Sequence, residues 1–154
     1  MSFKDELMEI LREELKELKA IRDIAYNKTD IIVKNEIKSL QNITAEEEGL
    51  VSKMAALEER RLNLLDSWGV NKSTPLSEII EKIPEGRKEL MDIREELNNL
   101  LMDIKQRNDI NSQLIQENLE WMEFNINLIT QANTPGTYGK KDNKANRSFF
   151  DRKV

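Results

Sequence analysis

Residues 87–131 of this chain contain no glycine and no proline, the two residues that most often interrupt a helix. Apolar side chains recur through the stretch at intervals of three and four residues. The pattern predicts a helix of about 47 residues, from Glu85 to about Gln131. Such a helix is longer than a compact bundle of this size needs, so its C-terminal part is expected to project or to pair with a long partner helix.

A first helix is predicted from Phe3, because leucine and isoleucine recur at threes and fours through residues 7–24. Residues 27–30 either form a polar turn of the same helix or cap a new helix at Ile31, and we favour continuation. The apolar pattern then extends to a predicted break at residues 41–43.

The second helix is expected to begin at Thr44, which forms a capping box with Glu47. In this pattern the hydroxyl and the carboxylate each bond a backbone amide at the start of a helix. The helix should end at Trp68, because Gly69 can adopt the left-handed conformation that follows many helices.

A hydroxyl at residues 73–74, followed by Pro75, predicts the start of a short helix through Ile83. Together the elements predict an all-α fold. We expect an elongated antiparallel helical bundle or coiled coil with one very long C-terminal helix and a disordered basic tail. Residues 1–133 would form the helical body and residues 134–154 the flexible tail.

The composition is typical of long solvated helices and excludes most catalytic sites. Charged residues make up 34% of the chain and aromatic residues 5%. The absence of cysteine and histidine excludes disulfides, Cys/His zinc sites and Ser-His-Asp triads. Adjacent carboxylates such as Glu13 and Glu14 point about 100° apart on a helix, so we expect solvated faces rather than catalytic dyads or metal sites. We therefore predict no enzyme activity and no cofactor.

Charge is distributed unevenly along the chain. After Thr134 there are six basic and two acidic residues, a net charge of +4. Because the whole chain has a net charge of −5, residues 1–134 have a net charge of −9. An acidic body argues against nucleic-acid binding, which depends on neutralising phosphates. The apolar runs are far shorter than the roughly 20 residues that span a bilayer, so no membrane insertion is expected. The acidic N-terminus is unlike a signal peptide, which predicts a cytoplasmic protein.

Asn111, Asn118 and Asn125 are spaced by seven residues and form a nearly straight row on the long helix. The asparagines either fix the register of a coiled coil as buried polar residues or face a bound partner, and both roles can coexist. One apolar stripe lies on each side of the row, and together the stripes are roughly twice as wide as packing on a single core requires. A partner is therefore expected to cover one of them. The first stripe contains Ile110, Leu114, Trp121, Phe124 and Leu128, and the second contains Ile115, Leu119, Met122, Ile126 and Ile129.

The chain resembles the FlgN family of flagellar type III export chaperones in the order of several short motifs. Each motif is weak alone, but in this order they extend across nearly the whole chain. The long acidic first helix and the Phe149-Phe150 end depart from the family pattern. The motifs are Thr44-x-x-Glu47-x-x-Leu50-Val51, Leu57-Glu58-x-x-Arg61-x-x-Leu64-Leu65, Leu76-x-x-Ile79-Ile80, Asn108-x-x-Asn111-x-x-Leu114-Ile115-x-x-Asn118-Leu119 and Thr137-Tyr138-Gly139.

The resemblance implies an all-helical cytoplasmic chaperone for its clients, the hook-filament junction proteins FlgK and FlgL. It would bind their C-terminal helical segments, prevent premature assembly and deliver them to the cytoplasmic domain of the export-gate protein FlhA. Tyr138 and Gly139 match the family element that docks at the gate; without the resemblance, Tyr138 is either a short linear anchor or an incidental tail residue. The expected client-binding residues are Asn111, Leu114, Ile115, Asn118, Leu119, Trp121, Met122, Phe124, Asn125 and Leu128.

A structural protein is the alternative to a chaperone. In that hypothesis a second copy of the chain covers the free apolar stripe, and the protein is a homodimeric coiled-coil scaffold or adaptor without a client. The oligomeric state at low concentration would distinguish the two functions.

Overall fold

The computed structural model describes residues 1–131. These residues form four helices: α1 (Phe3–Val33), α2 (Ile37–Ser67), α3 (Leu76–Glu81) and α4 (Arg87–Gln131). No strand occurs in this part of the chain, so the predicted all-α fold with a long C-terminal helix is confirmed. The predicted tail, residues 134–154, lies outside the described residues.

The described helices divide into two compact units. The first unit contains residues 1–24 and 45–105, and the second contains residues 25–44 and 106–131. All four helices contribute to the hydrophobic core of the first unit, in which a fully buried leucine stabilises the fold by roughly 1.5–3 kcal/mol. Its core includes Leu7, Leu11, Leu65, Ile79, Ile80 and Leu90.

α2 ends in the motif that Gly69 predicts. Gly69 has a φ of +71°, a conformation that glycine adopts without the penalty of a side chain. The Gly69 amide donates to the Asp66 carbonyl at 3.0 Å, and the Val70 amide donates to the Leu65 carbonyl at 2.8 Å. These two bonds define a Schellman motif, which satisfies carbonyls that the helix end would otherwise leave free.

The turn between α1 and α2 differs from the predicted break. Asn35 has a φ of +58°, the left-handed conformation that asparagine tolerates better than most residues. Its amide donates to the Ile32 carbonyl at 3.0 Å, and the Glu36 amide donates to the Ile31 carbonyl at 3.2 Å. This is again a Schellman motif, with asparagine in the position that glycine usually occupies. α2 begins two residues later, at Ile37.

The predicted break at residues 41–43 and the predicted helix start at Thr44 are therefore wrong. Thr44 lies inside α2, where its hydroxyl donates to the Leu40 carbonyl at 2.7 Å. A threonine within a helix can bond the carbonyl four residues earlier, so the capping-box pattern does not require a helix start. The predicted continuation of α1 through residues 27–30 is confirmed.

α3 starts without the predicted capping hydroxyl. Pro75 is the residue before the helix rather than its first residue, and no side chain caps the helix. The Ser73 hydroxyl donates to the Asn71 side-chain oxygen at 2.8 Å, and the Ser73 amide contacts the same oxygen at 3.0 Å. The serine therefore stabilises the preceding turn instead of the helix. α3 also ends at Glu81, before the predicted Ile83.

α4 begins at Arg87, two residues after the predicted start at Glu85. The reason is Gly86, which has a φ of +75° and so cannot belong to a right-handed helix. The Arg87 side chain bonds back to the Ile83 carbonyl.

Glu14 is an exception to the predicted solvated carboxylates, because it is buried. Its Oε1 lies 3.7 Å from Arg61 Nε, too far for a hydrogen bond, while Arg61 donates to Glu58 at 2.6 Å. Burial raises the pKa of the Glu14 carboxyl above its ordinary value of 4.5, although the Arg61 charge acts in the opposite direction. Burial therefore makes the ionised form of the Glu14 carboxyl unfavourable in the folded protein.

Candidate functional site

The candidate site lies in the second unit, where α4 packs beside the end of α1. Asn111 is fully buried at this contact. Its side-chain oxygen accepts a 2.6 Å hydrogen bond from the Thr29 hydroxyl, and its amide nitrogen donates to the Ala25 carbonyl at 2.9 Å. Because the oxygen and the nitrogen of the amide are both bonded, the cost of burying this polar group is offset.

Asn118 forms the same kind of contact seven residues further along both helices. Its amide nitrogen donates to the Ile32 carbonyl at 3.3 Å. Ala25 and Ile32 are separated by seven residues, as are Asn111 and Asn118, so α1 and α4 run in the same direction here. The two contacts require one register, as buried asparagines do in coiled coils.

Asn125 does not continue this series. Its amide nitrogen donates to the Trp121 carbonyl of its own helix at 2.8 Å. The next equivalent acceptor would be at residue 39, but α1 ends at Val33. Two of the three asparagines therefore fix the register, and direct contact of the row with a partner stays a prediction.

The first apolar stripe of α4 is exposed towards the end of the helix. Leu114 is half-buried, whereas Trp121 is 68% exposed and Phe124 60% exposed; Leu128 is exposed as well. A monomer rarely leaves a contiguous set of large apolar side chains in water, so this set is a candidate interaction site. We call it the α4 apolar surface, and it consists of Trp121, Phe124 and Leu128.

The second apolar stripe changes along the helix from buried to exposed. Ile115 is 6% exposed and Leu119 is half-buried, but Met122, Ile126 and Ile129 are exposed. The second stripe is therefore buried at Ile115 and exposed at Ile129, near the end of the helix. The sequence did not indicate which of the two stripes faces the core. In the described chain, the beginning of the second stripe faces the core.

A groove lies between the α1–α2 turn and the second stripe. Its walls are mostly apolar, and the cavity of about 80 Å³ is several times the roughly 10–15 Å³ that one water needs. The sequence-based interpretation missed this groove, because it continued the apolar pattern of residues 31–40 through the position of the turn. The signal that could have revealed the turn is Asn35. We call this feature the turn groove; it is lined by Ile31, Ile32, Asn35, Glu36, Ile37, Leu40, Ile115, Asn118, Leu119 and Met122.

Other kinds of site find no support within residues 1–131. No group of three or more acidic side chains in this part of the chain is arranged to hold a metal ion. None of its helices is long and apolar enough to cross a membrane. Tyr138 and Gly139, which the sequence predicts to dock at an export gate, lie outside the described residues.

Comparison with known proteins supplies one match. The model of the FlgN protein family matches residues 1–146, which is nearly the whole chain. No curated protein and no solved structure matches the chain. The family match includes both units and the predicted gate-docking residues, and it ends before Phe149.

Proposed function

This chain belongs to the FlgN family, a family of flagellar export chaperones, and from that premise we propose that it binds the hook-filament junction proteins FlgK and FlgL. It would hold their C-terminal helical segments, prevent premature assembly and deliver them to the cytoplasmic domain of the export-gate protein FlhA. We assign this activity to the cytoplasm.

The α4 apolar surface is the observation that carries the proposed client binding. Trp121, Phe124 and Leu128 stand at positions i, i+3 and i+7 of one helix, the spacing by which one helix presents anchors to another. All three are exposed in the described chain. Aromatic residues such as Trp121 and Phe124 dominate the binding energy of many interfaces, and an amphipathic client helix would bury all three side chains.

The other predicted client contacts differ in exposure. Asn111 and Ile115 are buried within the second unit, so we propose that they support the surface from below. Leu114, Asn118 and Leu119 are half-buried. We propose that they border the client, together with Met122 and Asn125.

The proposed mechanism is an exchange of helix contacts. Before assembly, the terminal helices of a junction protein would expose apolar faces to water. Burying such a face contributes about 25 cal/mol per Å² of apolar surface, which offsets the cost of ordering a disordered segment. Since no covalent step is involved, the client can be released when its own assembly partners compete for the same face.

Gate docking is proposed for Tyr138 and Gly139 on the basis of the family resemblance. These residues lie in the chain beyond α4, separate in sequence from the α4 apolar surface. One molecule could then hold a client and contact the gate at the same time, and this linkage would raise the effective concentration of each partner for the other.

Calorimetric titration of the full chain with the C-terminal segment of FlgK or FlgL tests the proposal. We expect 1:1 binding, micromolar or tighter, with a negative heat-capacity change that reports apolar burial. Light scattering after size exclusion tests the alternative, a homodimeric scaffold that uses the same exposed surface. A tight dimer at nanomolar concentration, together with no binding to either segment, would favour the scaffold over the chaperone.

A further inference from the structure

The turn groove has no occupant among the described residues, although most of its wall is apolar. Ile37 and Met122 contribute to this wall and are both exposed. We propose that the groove binds the chain's own C-terminal residues Phe149 and Phe150. This inference goes beyond the proposed chaperone function and does not depend on it.

Phe149 and Phe150 are the segment that best fits such an occupant. They are the only two adjacent large apolar residues after residue 131 in a stretch that is otherwise rich in Lys, Arg, Asn and Gly. They also lie beyond residue 146, where the family match ends, so the function shared by the family does not account for them. Two neighbouring aromatic rings would bury more apolar surface than any other pair in this segment.

Charge favours the return of this segment to α4. Residues 108–131 contain four acidic residues and no basic one, a net charge of −4, whereas residues 132–154 have a net charge of +4. Glu36 also lines the turn groove. The turn carries Lys34 and Lys38 as well, so the attraction comes mainly from α4. Opposite net charges of this size attract at low salt and are screened at high salt.

The length of the intervening chain permits the contact. Met122 stands nine residues before the end of α4, which corresponds to about 14 Å along the helix. Residues 132–148 connect the helix end to Phe149. A chain of about 17 residues has a mean span of roughly 23 Å as a random coil. This span exceeds the required distance of about 14 Å, so the segment can reach the groove, and the short tether gives a high effective concentration.

Ile126 and Ile129 are the exposed residues of the second stripe between the groove and the helix end. A returning segment would pass along them before it reaches Met122. The returning segment would therefore cover the exposed part of the second stripe. The α4 apolar surface, which includes Trp121 and Phe124, would remain accessible to the client.

Paramagnetic relaxation in the full-length protein tests the proposal directly. The chain has no cysteine, so Ser148→Cys provides a single position for a nitroxide label next to Phe149. The probe is the methyl group of Met122 in protein with ¹³C-labelled methionine methyls, assigned by comparison with Met122→Leu. We expect loss of the Met122 methyl signal in the labelled protein and its recovery when the nitroxide is reduced.

Two variants of the labelled protein separate docking from random proximity. Phe149→Ser with Phe150→Ser should restore the Met122 signal, whereas Tyr138→Ser, which removes an aromatic residue from the same segment, should leave the signal lost. High salt should weaken the effect. If the serine pair leaves the broadening unchanged, or if Met122 is never broadened, the groove does not bind this segment.

A mixing experiment distinguishes the chain's own segment from that of a second copy. Nitroxide-labelled protein without ¹³C is mixed with ¹³C-methyl protein that carries no label. The Met122 signal should persist in the mixture if the contact is intramolecular. Its loss in the mixture would overturn the proposal in favour of an interface between copies.

Discussion

Asn111 of α4 accepts a 2.6 Å hydrogen bond from the hydroxyl of Thr29 of α1 in the interior of the second unit. The same asparagine donates to the Ala25 carbonyl. This pair of bonds sets α4 in register with the last turns of α1. Because α1 ends at Val33, the part of α4 that follows Asn118 extends past its neighbour, and its apolar side chains remain exposed.

Asn111→Ala should destabilise the protein by about 1–3 kcal/mol, because it removes both hydrogen bonds of a fully buried side chain and leaves the Thr29 hydroxyl without its partner on α4. Urea unfolding followed by circular dichroism measures this change. The matched control is Asn125→Ala, whose side chain bonds the Trp121 carbonyl of its own helix and, among residues 1–131, no other helix; it should change stability by less than about 0.5 kcal/mol. Equal effects of the two variants would contradict the register role of Asn111.

Asn35→Val should destabilise the protein by roughly 1–2 kcal/mol, because a β-branched side chain is strained at a φ of +58°. Asn35→Gly should be neutral or slightly stabilising, since glycine adopts this conformation without strain. Thermal unfolding of both variants checks the turn. If Val were tolerated as well as Gly, α1 and α2 would not be joined through a left-handed residue at position 35.

Glu14→Gln should reduce the pH dependence of stability just above pH 4.5. Burial raises the pKa of Glu14 in the folded protein, so the folded state holds a proton that the unfolded state has released. Stability therefore falls as the pH rises from 4.5 through the raised pKa, and the loss is complete above it.

The variant that lacks this titration should be at least as stable as the parent at pH 7, despite losing the weak attraction to Arg61. The measurement is the free energy of unfolding between pH 4 and pH 8. A parent protein whose stability rises with pH through this window, in proportion to the charge on Glu14, would show that the Arg61 interaction outweighs burial.

Tyr138→Ala should weaken binding to the cytoplasmic domain of FlhA and leave the affinity for the FlgK or FlgL segment unchanged. The reason is that the proposed gate contact is separate in sequence from the α4 apolar surface. Two calorimetric titrations of the same variant, one with each partner, test this separation. An equal loss of affinity for both partners would mean that the two sites are one.

Local signals predicted some parts of the fold well. Gly69 ends α2 as expected, because glycine adopts the left-handed conformation at a helix C-terminus without steric strain. Thr44 misled the prediction, since its hydroxyl can bond either an amide ahead of it or the Leu40 carbonyl behind it, and the sequence pattern is the same in both cases. Asn35 carried a weaker signal for the true turn, as asparagine follows helices less often than glycine.

The candidate site was only partly predictable for a different reason. The spacing of Asn111 and Asn118 revealed a common face, but their acceptors Ala25 and Ile32 are 86 residues away in the chain. Periodicity reports which side chains share a face and does not report what that face contacts. The burial of Ile115 and the exposure of Trp121 depend on where α1 ends. They could not be predicted without the position of the turn between α1 and α2.

Calorimetric titration of the Trp121→Asp variant with the C-terminal segment of FlgK or FlgL tests most directly whether the client binds to the α4 apolar surface. Trp121 is exposed, so the substitution should leave the helical content and unfolding temperature close to those of the parent. The matched control is Met102→Asp, at an exposed apolar residue of the same helix that lies outside the surface.

We expect Trp121→Asp to weaken binding by at least about 2 kcal/mol, roughly 30-fold in Kd, and Met102→Asp to bind as the parent does. Parent-like affinity of a folded Trp121→Asp protein would contradict the account and would move the client site away from the end of α4.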